Sequence, residues 1–465
     1  MTLQVTTSKY EQQILEDFTV KVDLLSNPYQ FELSHLFQMA ARINKKRSFL
    51  FVSKVLGKHL AVDPKICLLT GHLLALRYME VVHGQLNPHT EAVVDAIKTR
   101  EGLADVLEVM EKNPIELPNP VTCIGFAETA TALGHAVFST FKEQASYIHT
   151  TREQIEKLSS IINFEEEHSH ATSHRVYALQ QDFFKNDNEV ILIDDEITTG
   201  QTAVNIIRTL KATYPHKKTF TIVSILDWRT PEHRQSYQAL ERELDITIHA
   251  VSLVEGNMEV IGQPTQLEEQ RPAFQPFTPK LSSMSLTKMM NSEMLLYESS
   301  VHADGSQTTA PYIKGTGRFG LSIKEERRYN DLYKPIGDAL QSRRMGKRTL
   351  VIGTGEFMYL PMKIASYMGE GISYQSTTRS PIYQSDHKGY LIQRKFKFDS
   401  PENPGLTNYL YNIEVNQYDE IFLFVERLSS PNAVKSLLDA LSQTFIPVIH
   451  LISMTDEIGG RNLDD

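Results

Sequence analysis

The sequence predicts an α/β protein in which a parallel sheet is flanked by helices, followed by a second α/β core of similar pattern. From residue 121 onward, short apolar runs such as 121–125 and 190–193 alternate with helical periodicity such as that of 203–212. The same alternation resumes at residue 349 and continues to the end of the chain. Strands that alternate with helices form parallel sheets covered on both faces.

The composition is that of a soluble protein with more than one domain. The chain has 465 residues, of which 41 % are hydrophobic and 22 % are charged. Its formal net charge of -10 argues against a general nucleic-acid or membrane-surface coat. Two cysteines, Cys67 and Cys123, are too few for a disulfide scaffold or a zinc cluster. Because neither a signal peptide nor a membrane-length apolar run is visible, we expect a cytoplasmic protein without nucleic-acid or membrane partners.

The pattern divides the chain into four segments. Residues 1–115 are predicted to form a helical N-terminal extension of the first domain, because apolar residues recur at helical spacing, as in 66–79. Residues 116–255 would form the first α/β core, and residues 313–465 would form the second. Between them, residues 256–312 carry five prolines in Gln- and Ser-rich sequence, which predicts a linker with at most an added strand or two.

The most informative segment is 190–202, which reads Val-Ile-Leu-Ile-Asp-Asp-Glu-Ile-Thr-Thr-Gly-Gln-Thr. Backbone N–H groups at the start of the following helix favour a phosphate in the loop 198–202. Gly200 would let the backbone approach that anion closely. Asp194 and Asp195 end a strand at the sheet edge where ligands bind, and two carboxylates there suit paired ribose hydroxyls. The segment therefore predicts a ribose 5-phosphate site; the alternative is that the two acids only cap the helix.

This segment resembles the thirteen-residue motif by which type I phosphoribosyltransferases bind phosphoribosyl pyrophosphate (PRPP). Four apolar residues, two acids and a Thr-Gly-x-Thr ending match that motif. The resemblance implies that Asp194 and Asp195 bind the ribose hydroxyls. It also implies a 5-phosphate loop made of Thr198, Thr199, Gly200, Gln201 and Thr202. Purine-salvage members carry an aspartate as general base where this chain has Thr198, so the chain is more similar to the orotate-type branch.

A second loop looks like the pyrophosphate loop of the same family. The stretch Ile124-Gly-Phe-Ala-Glu128 leaves a buried strand, passes through small residues and enters a helix. The loop would consist of Phe126, Ala127, Glu128 and Thr129. Its backbone amides could bind pyrophosphate oxygens, although a plain strand–helix turn is the alternative. Glu128 would repel pyrophosphate if it pointed inward, so we expect it to cap the helix or to meet a base or a magnesium-bound water.

The catalytic candidates are Arg152, Glu128, His174 and Arg175. Type I enzymes close a mobile loop over the reaction centre, and residues 164–175 lie between the relevant strands. Basic groups of this loop could neutralise the leaving pyrophosphate, whereas His168, His170 and His174 could instead form a metal site or belong to a solvated loop. Arg152, which follows a strand directly, is the better single cation candidate.

Two further features concern cations. Lys54 and Lys58 stand four residues apart and would share one face of a helix, which is either solvated or turned toward a phosphate. The family resemblance also implies Mg²⁺ as cofactor, carried by PRPP and not held by a protein metal site.

The second core looks like a copy of the first. The stretch 124–128 has a counterpart in Ile352-Gly-Thr-Gly-Glu356, and 146–152 has one in Ser373-Tyr-Gln-Ser-Thr-Thr-Arg379. Residues 189–210 then align on 420–441 without a gap. Several matches in the same order at similar spacing indicate an internal repeat.

The copy has lost its predicted site. At the positions of Asp194 and Asp195 it carries Val425 and Glu426, and Thr198-Thr-Gly becomes Ser429-Ser-Pro. Valine cannot accept a ribose hydroxyl, and proline lacks the backbone donor. The copy keeps residues with anion- or acceptor-binding potential: Gly353, Gly355, Glu356 and Arg379.

The stretch Thr378-Arg-Ser-Pro381 is similar to the signature of the TRSP domain, which follows a phosphoribosyltransferase domain in a bacterial family associated with tellurium-resistance and stress gene clusters. The resemblance implies transfer from PRPP to an unidentified small-molecule acceptor, giving a nucleotide-like metabolite. A non-catalytic PRPP-sensing regulator and an RNA-binding protein are the alternatives, and the net charge disfavours the second. The chain could form a homodimer, or its two copies could form a pseudo-dimer within one chain.

Overall fold

A computed structural model describes residues 9–43, 47–164, 174–264, 277–302, 304–455 and 461–462. The α-helices are α1 (Leu33–Leu36), α2 (Pro64–His83), α3 (Thr90–Thr99), α4 (Leu103–Lys112), α5 (Ala130–Ser139), α6 (Gln201–Thr213), α7 (Pro231–Leu244), α8 (Ile323–Ser342), α9 (Tyr359–Ser366) and α10 (Lys435–Ser442). Short 3₁₀ turns lie at Thr287–Met289, Ser292–Met294 and Lys314–Thr316.

The strands of the first half are β1 (Lys9–Leu15), β2 (Phe18–Ser26), β3 (Phe37–Ala41), β4 (Phe49–Ser53), β5 (Val121–Gly125), β6 (Ala145–His149), β7 (Gln154–Ile155), β8 (Ile162–Phe164), β9 (His174–Val176), β10 (Glu189–Ile197), β11 (Thr219–Asp227) and β12 (Thr247–Gly262). Those of the second half are β13 (Lys280–Ser285), β14 (Leu295–Leu296), β15 (Ser300–Val301), β16 (Gln307–Thr308), β17 (Tyr312–Ile313), β18 (Leu321–Ser322), β19 (Thr349–Gly353), β20 (Ile372–Ser376), β21 (Lys395–Asp399), β22 (Thr407–Tyr411), β23 (Glu420–Val425), β24 (Val448–Ser453) and β25 (Arg461–Asn462).

The first core is an eight-stranded sheet in the order β1-β2-β12-β11-β10-β5-β6-β18. Its central strands, from β12 to β6, run parallel. Along β10, Ile191 and Ile193 pack into the apolar cluster that contains α2 and α5, while Val190 and Leu192 pack into the cluster that contains α6 and α7. Alternate residues of a strand point to opposite faces, so helices cover both faces and the predicted fold class is confirmed.

The second core is a six-stranded parallel sheet in the order β20-β19-β23-β24-β13-β25. Its first four strands repeat the order β6-β5-β10-β11 of the first sheet, as the internal repeat predicts. The fifth position, held by β12 in the first sheet, is held by β13 in the second. In the second core this strand precedes the other four strands along the chain, whereas in the first core it follows them.

The segment predicted as a linker at 256–312 holds more strands than the one or two that the prediction allowed. Strand β12 continues to Gly262 and pairs with β2 through its second half, and β13 belongs to the second sheet. Short strands follow, including β17, which pairs with β14. The prolines predicted breaks in regular structure. Strands nevertheless form in this segment, because they pair with strands that are distant in sequence.

The helical N-terminal extension is also wrong in part. Strands β1 and β2 form an antiparallel hairpin at the edge of the first sheet, where Phe18, Val20 and Val22 are buried at every second position. Apolar spacing in 33–42 predicts a helix, but α1 has only four residues and β3 follows it. Helix α2 confirms the helix predicted at 66–79. Across the described ranges, no helix combines the length and apolar character that a membrane span requires.

Candidate active site

The sequence-predicted site residues meet around a cavity of about 380 Å³ at the carboxyl ends of β5 and β10. Most of its lining comes from three parts of the chain: the loop after β5, the end of β10 with the start of α6, and residues from positions 42–59. Arg379 and Ser380 reach the same cavity from the second core. One cavity therefore collects residues that lie up to several hundred positions apart.

The predicted 5-phosphate loop forms the N-terminus of α6. Gly200 is the N-cap residue, with a φ of 78° that side-chain-bearing residues rarely adopt. A Cβ at this position would lie 2.3 Å from the Tyr237 hydroxyl, which donates a 2.7 Å hydrogen bond to the Gly200 carbonyl. Thr198, Thr199, Gly200 and Thr202 line the cavity. Gln201 does not line it; its amide instead donates to Asn205 on the exposed surface of α6.

The acidic pair at the end of β10 lines the cavity beside this loop. The Asp195 amide N–H donates to the Asp194 carboxylate at 2.9 Å. Among the described residues, no hydrogen bond or ion pair holds the Asp195 carboxylate. The next acid, Glu196, is engaged: Arg47 Nη2 lies 2.5 Å from its Oε1. Burial raises the pKa of Glu196, and the neighbouring charge of Asp195 adds to this effect. Asp195 is thus the acid most available to a ligand hydroxyl.

The predicted pyrophosphate loop contributes Phe126, Ala127, Glu128 and Thr129 to the lining. The Ala127 N–H donates to the Thr150 hydroxyl at 2.8 Å, and the Ala127–Glu128 peptide bond is cis. The Glu128 side chain does not cap α5, which was one of the roles expected for it; its carboxylate binds the second core. The other expected role, contact with a base or a magnesium-bound water, stays a prediction, because Glu128 also lines the cavity. The Thr378 hydroxyl donates to Oε2 at 3.1 Å, and Lys58 Nζ lies 3.6 Å from the same oxygen. The Arg379 backbone N–H also donates to this oxygen, at 3.4 Å.

The second core repeats this contact in the opposite direction. Glu356, the counterpart of Glu128, accepts hydrogen bonds from the Thr151 hydroxyl at 2.5 Å and from the Arg152 N–H at 2.9 Å. Thr151 and Arg152 are in turn the counterparts of the residues that bind Glu128. Such reciprocity, in which each partner uses the same residues, is the mark of a two-fold interface.

The remaining catalytic candidates separate into two groups. Arg152 lines the cavity. His174 does not: it is fully buried, with Nδ1 2.8 Å from the Thr150 hydroxyl and its ring stacked on Phe164. Arg175 donates to the Arg152 carbonyl at 3.3 Å and also lies outside the lining. Neither His174 nor Arg175 lines the cavity, so the catalytic role expected of them stays a prediction. His168 and His170 lie outside the described residues, and with them most of the predicted mobile loop.

The second core holds a buried charge cluster at the equivalent of the acidic pair. Arg318, 1 % exposed, binds the Glu426 carboxylate at 2.9 Å through Nη1, and Glu426 is the counterpart of Asp195. Glu153 lies 3.4 Å and Glu356 3.8 Å from the same guanidinium. The second domain's predicted anion or acceptor site is not one site in the structure. Arg379 lines the cavity of the first core, whereas Gly353, Gly355 and Glu356 do not.

The lining residues that sequence reasoning missed include Arg42, Arg47, Phe51 and His59. It expected Lys54 and Lys58 on one helix face, but residues 54–60 are not helical. Lys58 lines the cavity, where it bonds the Thr129 hydroxyl. Its proximity in sequence to Arg47, another basic residue of the lining, was the available signal.

The described residues contain no group of three or more His, Cys, Asp or Glu side chains placed to hold a metal ion. Mg²⁺ in proteins is commonly held by one or two carboxylates together with substrate phosphates. Asp194 and Asp195, on the cavity wall, offer such a pair. The residues present therefore fit a magnesium ion that is bound together with a phosphorylated ligand.

Residues 36–257 match the family described as phosphoribosyl transferase, and residues 315–441 match the TRSP domain that lies C-terminal to that family. No curated protein matches the sequence. Similar solved structures include the adenine phosphoribosyltransferase of Rhodothermus marinus, with 12 % identity, 47 % of this chain and 95 % of that chain covered, and a TM-score of 0.28. The orotate phosphoribosyltransferase of Aeropyrum pernix has 14 % identity, covers 45 % of this chain and 80 % of its own, and has a TM-score of 0.23.

The two family matches together span about three-quarters of the chain and fall on the two cores in the expected order. Residues 36–257 thus carry a phosphoribosyltransferase domain, an enzyme of the pentosyltransferase class, and residues 315–441 carry a TRSP domain.

Proposed function

We propose that the enzyme transfers ribose 5-phosphate from PRPP to a small-molecule acceptor and releases pyrophosphate. The observation that carries this proposal is the shared cavity, which joins the acidic pair, the threonine loop and the loop after β5. The acidic pair would bind the ribose, the threonine loop its 5-phosphate, and the loop after β5 its diphosphate.

The acidic pair and the threonine loop would hold the two ends of ribose 5-phosphate. Carboxylates of Asp194 and Asp195 accept hydrogen bonds from the ribose hydroxyls. The N-terminus of α6 presents backbone N–H groups and the positive end of its dipole to the phosphate. Thr198 and Thr199 add hydroxyl donors from the same wall.

In the transfer step, a lone pair of the acceptor forms the new bond to the anomeric carbon. The bond from that carbon to the diphosphate oxygen breaks, and its electron pair leaves with pyrophosphate. Positive charge grows on the ribose ring and negative charge on the departing group. Placed cations and backbone donors stabilise this separation, so catalysis rests mainly on positioning and electrostatics. Arg152, on the cavity wall, is the candidate cation for the departing pyrophosphate. It lies two residues after Thr150, whose hydroxyl accepts a hydrogen bond from the pyrophosphate loop.

Mg²⁺ would enter with PRPP and supply charge neutralisation to its diphosphate. Residue 198 is a threonine, so this position offers no carboxylate as general base, which supports an acceptor of the orotate type over a purine. By the resemblance of Thr378-Arg-Ser-Pro381 to the TRSP signature, the product would be a nucleotide-like metabolite linked to stress or tellurium resistance.

The test is pyrophosphate release from Mg-PRPP with pools of candidate nitrogen acceptors, followed by identification of the ribosylated product. We expect release that depends on one acceptor class and falls at least tenfold in Asp195→Asn. PRPP binding without release for any acceptor would instead favour a PRPP-sensing regulator. Absence of PRPP binding would refute both.

A further inference from the structure

One end of the cavity lies where the two domains meet. We call it the seam end and define it by Arg42, Lys58, His59, Arg379 and Ser380, all of which line the cavity. Backbone hydrogen bonds fix this region: the Ile43 N–H donates to the Pro381 carbonyl at 3.0 Å, and the Ser376 N–H donates to the Gly57 carbonyl at 2.7 Å. The seam end is therefore a wall built by both domains, and it lies apart from the 5-phosphate loop in sequence and in fold.

The acids near the seam end are already engaged. The Glu128 carboxylate forms an ion pair with Lys58 and accepts hydrogen bonds from the Thr378 hydroxyl and the Arg379 N–H. The Glu196 carboxylate forms an ion pair with Arg47. The Arg379 guanidinium, by contrast, makes no ion pair or hydrogen bond within the described part of the chain. Its charge reaches Glu153, whose pKa it helps to lower, but Glu153 is paired with Arg318 and Arg427.

A buried histidine at the seam end has an unsatisfied ring nitrogen. His59 is 4 % exposed, and its Nε2 has no hydrogen-bond partner among the described residues. Burial lowers the pKa of His59 well below its ordinary value, and the charges of Lys58 and Arg42 add to this effect. The imidazole is thus neutral at pH 7, so its Nε2–H tautomer has a donor to offer. A buried polar atom without a partner costs stability, and such atoms on a cavity wall commonly bind ligands.

We propose that the seam end is an oxyanion subsite, in which Arg379 of the TRSP domain and His59 of the first domain bind one anionic group. The proposal rests on the proposed function, because the anion is either the departing pyrophosphate or an acidic substituent of the acceptor. In both cases the first domain's site is incomplete without the TRSP domain.

Domain docking alone does not account for these two side chains. The domains are held by the backbone bonds at the seam and by the reciprocal Glu128 and Glu356 contacts. Neither the Arg379 guanidinium nor His59 Nε2 takes part in those bonds. His59 packs edge-on against Tyr411 at a ring distance of 6.0 Å, and the Tyr411 hydroxyl donates to the Ser380 carbonyl at 2.6 Å. These contacts position the imidazole beside the second domain without using its Nε2.

The test measures binding of three probes to the full chain by calorimetry: magnesium pyrophosphate, orotate as a carboxylate heterocycle, and ribose 5-phosphate. The variants are Arg379→Gln, Arg379→Lys, His59→Leu and His59→Gln. Arg394→Gln removes a charge from an exposed pair with Glu414 in the same domain and serves as the matched control. Thermal unfolding within a few degrees of the wild type establishes that each variant is folded.

We expect Arg379→Gln and His59→Leu to weaken one anion at least about tenfold, which is the usual size of one charged hydrogen bond. Ribose 5-phosphate affinity should stay within twofold. Arg379→Lys and His59→Gln, which keep a charge or a donor, should recover part of the loss. A loss for pyrophosphate assigns the subsite to the leaving group, and a loss for orotate assigns it to the acceptor.

The proposal is overturned if the wild type binds ribose 5-phosphate but neither anion, or if both anions bind Arg379→Gln and His59→Leu as tightly as the wild type. Failure of the wild type to bind ribose 5-phosphate or PRPP would refute the proposed function itself. The two failures are therefore distinguishable.

Discussion

The two copies of the α/β core treat the same position in opposite ways. In the first copy, Asp195 lines a cavity of about 380 Å³ and its carboxylate has no partner within the described residues. In the second copy, its counterpart Glu426 is 2 % exposed and receives two bonds from the Arg318 guanidinium, at 2.9 and 3.2 Å. One core therefore keeps an acid for a ligand, and the other uses the equivalent acid in its own interior.

The difference shows how a repeated core can lose a ligand site and keep its fold. A buried carboxylate without a counter-charge is costly, so loss of the ligand requires an internal cation. Arg318 meets that requirement in the second copy. Lys58, which contacts the first copy's Glu128 as Arg318 contacts Glu356, remains on the cavity wall. The cation beside Glu128 thus lines the ligand cavity, whereas the cation beside Glu356 belongs to an internal cluster.

The largest expected effect comes from opening the second copy's charge cluster. Glu426→Gln removes the closest counter-charge of Arg318, and breaking a buried pair costs about 3–5 kcal/mol. We expect a loss near 3 kcal/mol, because Glu153 and Glu356 remain beside the guanidinium. Urea unfolding measures the loss, with the exposed Glu414→Gln as control. A variant as stable as the wild type would show that the cluster does not support the second core.

The equivalent change in the first copy should affect binding and not stability. Asp194→Asn/Asp195→Asn removes two charged acceptors for ribose hydroxyls, each worth about 1.5–3 kcal/mol. PRPP should bind at least about 100-fold more weakly by calorimetry, with the unfolding midpoint nearly unchanged. If PRPP affinity fell equally in Glu426→Gln, the assignment of the site to one copy would be wrong.

A third prediction concerns pH and a further acid of the second copy. Burial raises the pKa of Glu402 to about 8, with contributions from Glu426 and Glu153. The folded protein therefore keeps a proton that the unfolded chain releases near pH 4.5, so stability falls as the pH rises from about 4.5 to about 8. Glu402→Gln lacks this loss. Its stability relative to the wild type should grow by an amount on the order of 2 kcal/mol between pH 6 and pH 9. A constant difference across this pH range would contradict the assignment.

The smallest expected effect compares PRPP binding by the loop at Thr198 in the first copy and by the equivalent loop at Ser429 in the second. Thr198→Ala removes one neutral hydroxyl donor, worth about 1 kcal/mol, so PRPP affinity should fall about fivefold. Ser429→Ala is the matched change in the second copy, where the serine hydroxyl donates to the Pro401 carbonyl. We expect this control to leave PRPP affinity unchanged. Equal losses in both variants would argue that both loops bind PRPP.

Local patterns predicted the parts of the fold that depend on neighbouring residues. Strands β5, β10 and β11 are continuous apolar runs, and α5 and α6 follow them directly, so their order and the position of the acidic pair could be read from the sequence. The alternation of Phe18, Val20 and Val22 is the local signal for β2, whereas the helical spacing further along the chain, as in 66–79, predicts helices. Strand β13 could not be placed, because its partner β24 lies far ahead in the chain.

The candidate site was predicted only where its residues belong to the repeated motifs. The repeat indicated that Glu128 and Glu356 are counterparts, but no local signal showed that each binds the other copy's threonine and arginine. His59 and Arg379 come from distant segments that meet only through packing at the seam. A lone histidine followed by apolar sequence carries no sign of a cavity, which explains why His59 was missed.

The stoichiometry of Mg-PRPP binding to the full chain tests the central claim most directly. If only the first copy keeps a ribose-phosphate site, calorimetry will give one PRPP per chain, and this binding will be lost in Asp194→Asn/Asp195→Asn. Two PRPP molecules per chain, or one that still binds the double variant, would contradict the division of the chain into one ligand site and one internally filled site.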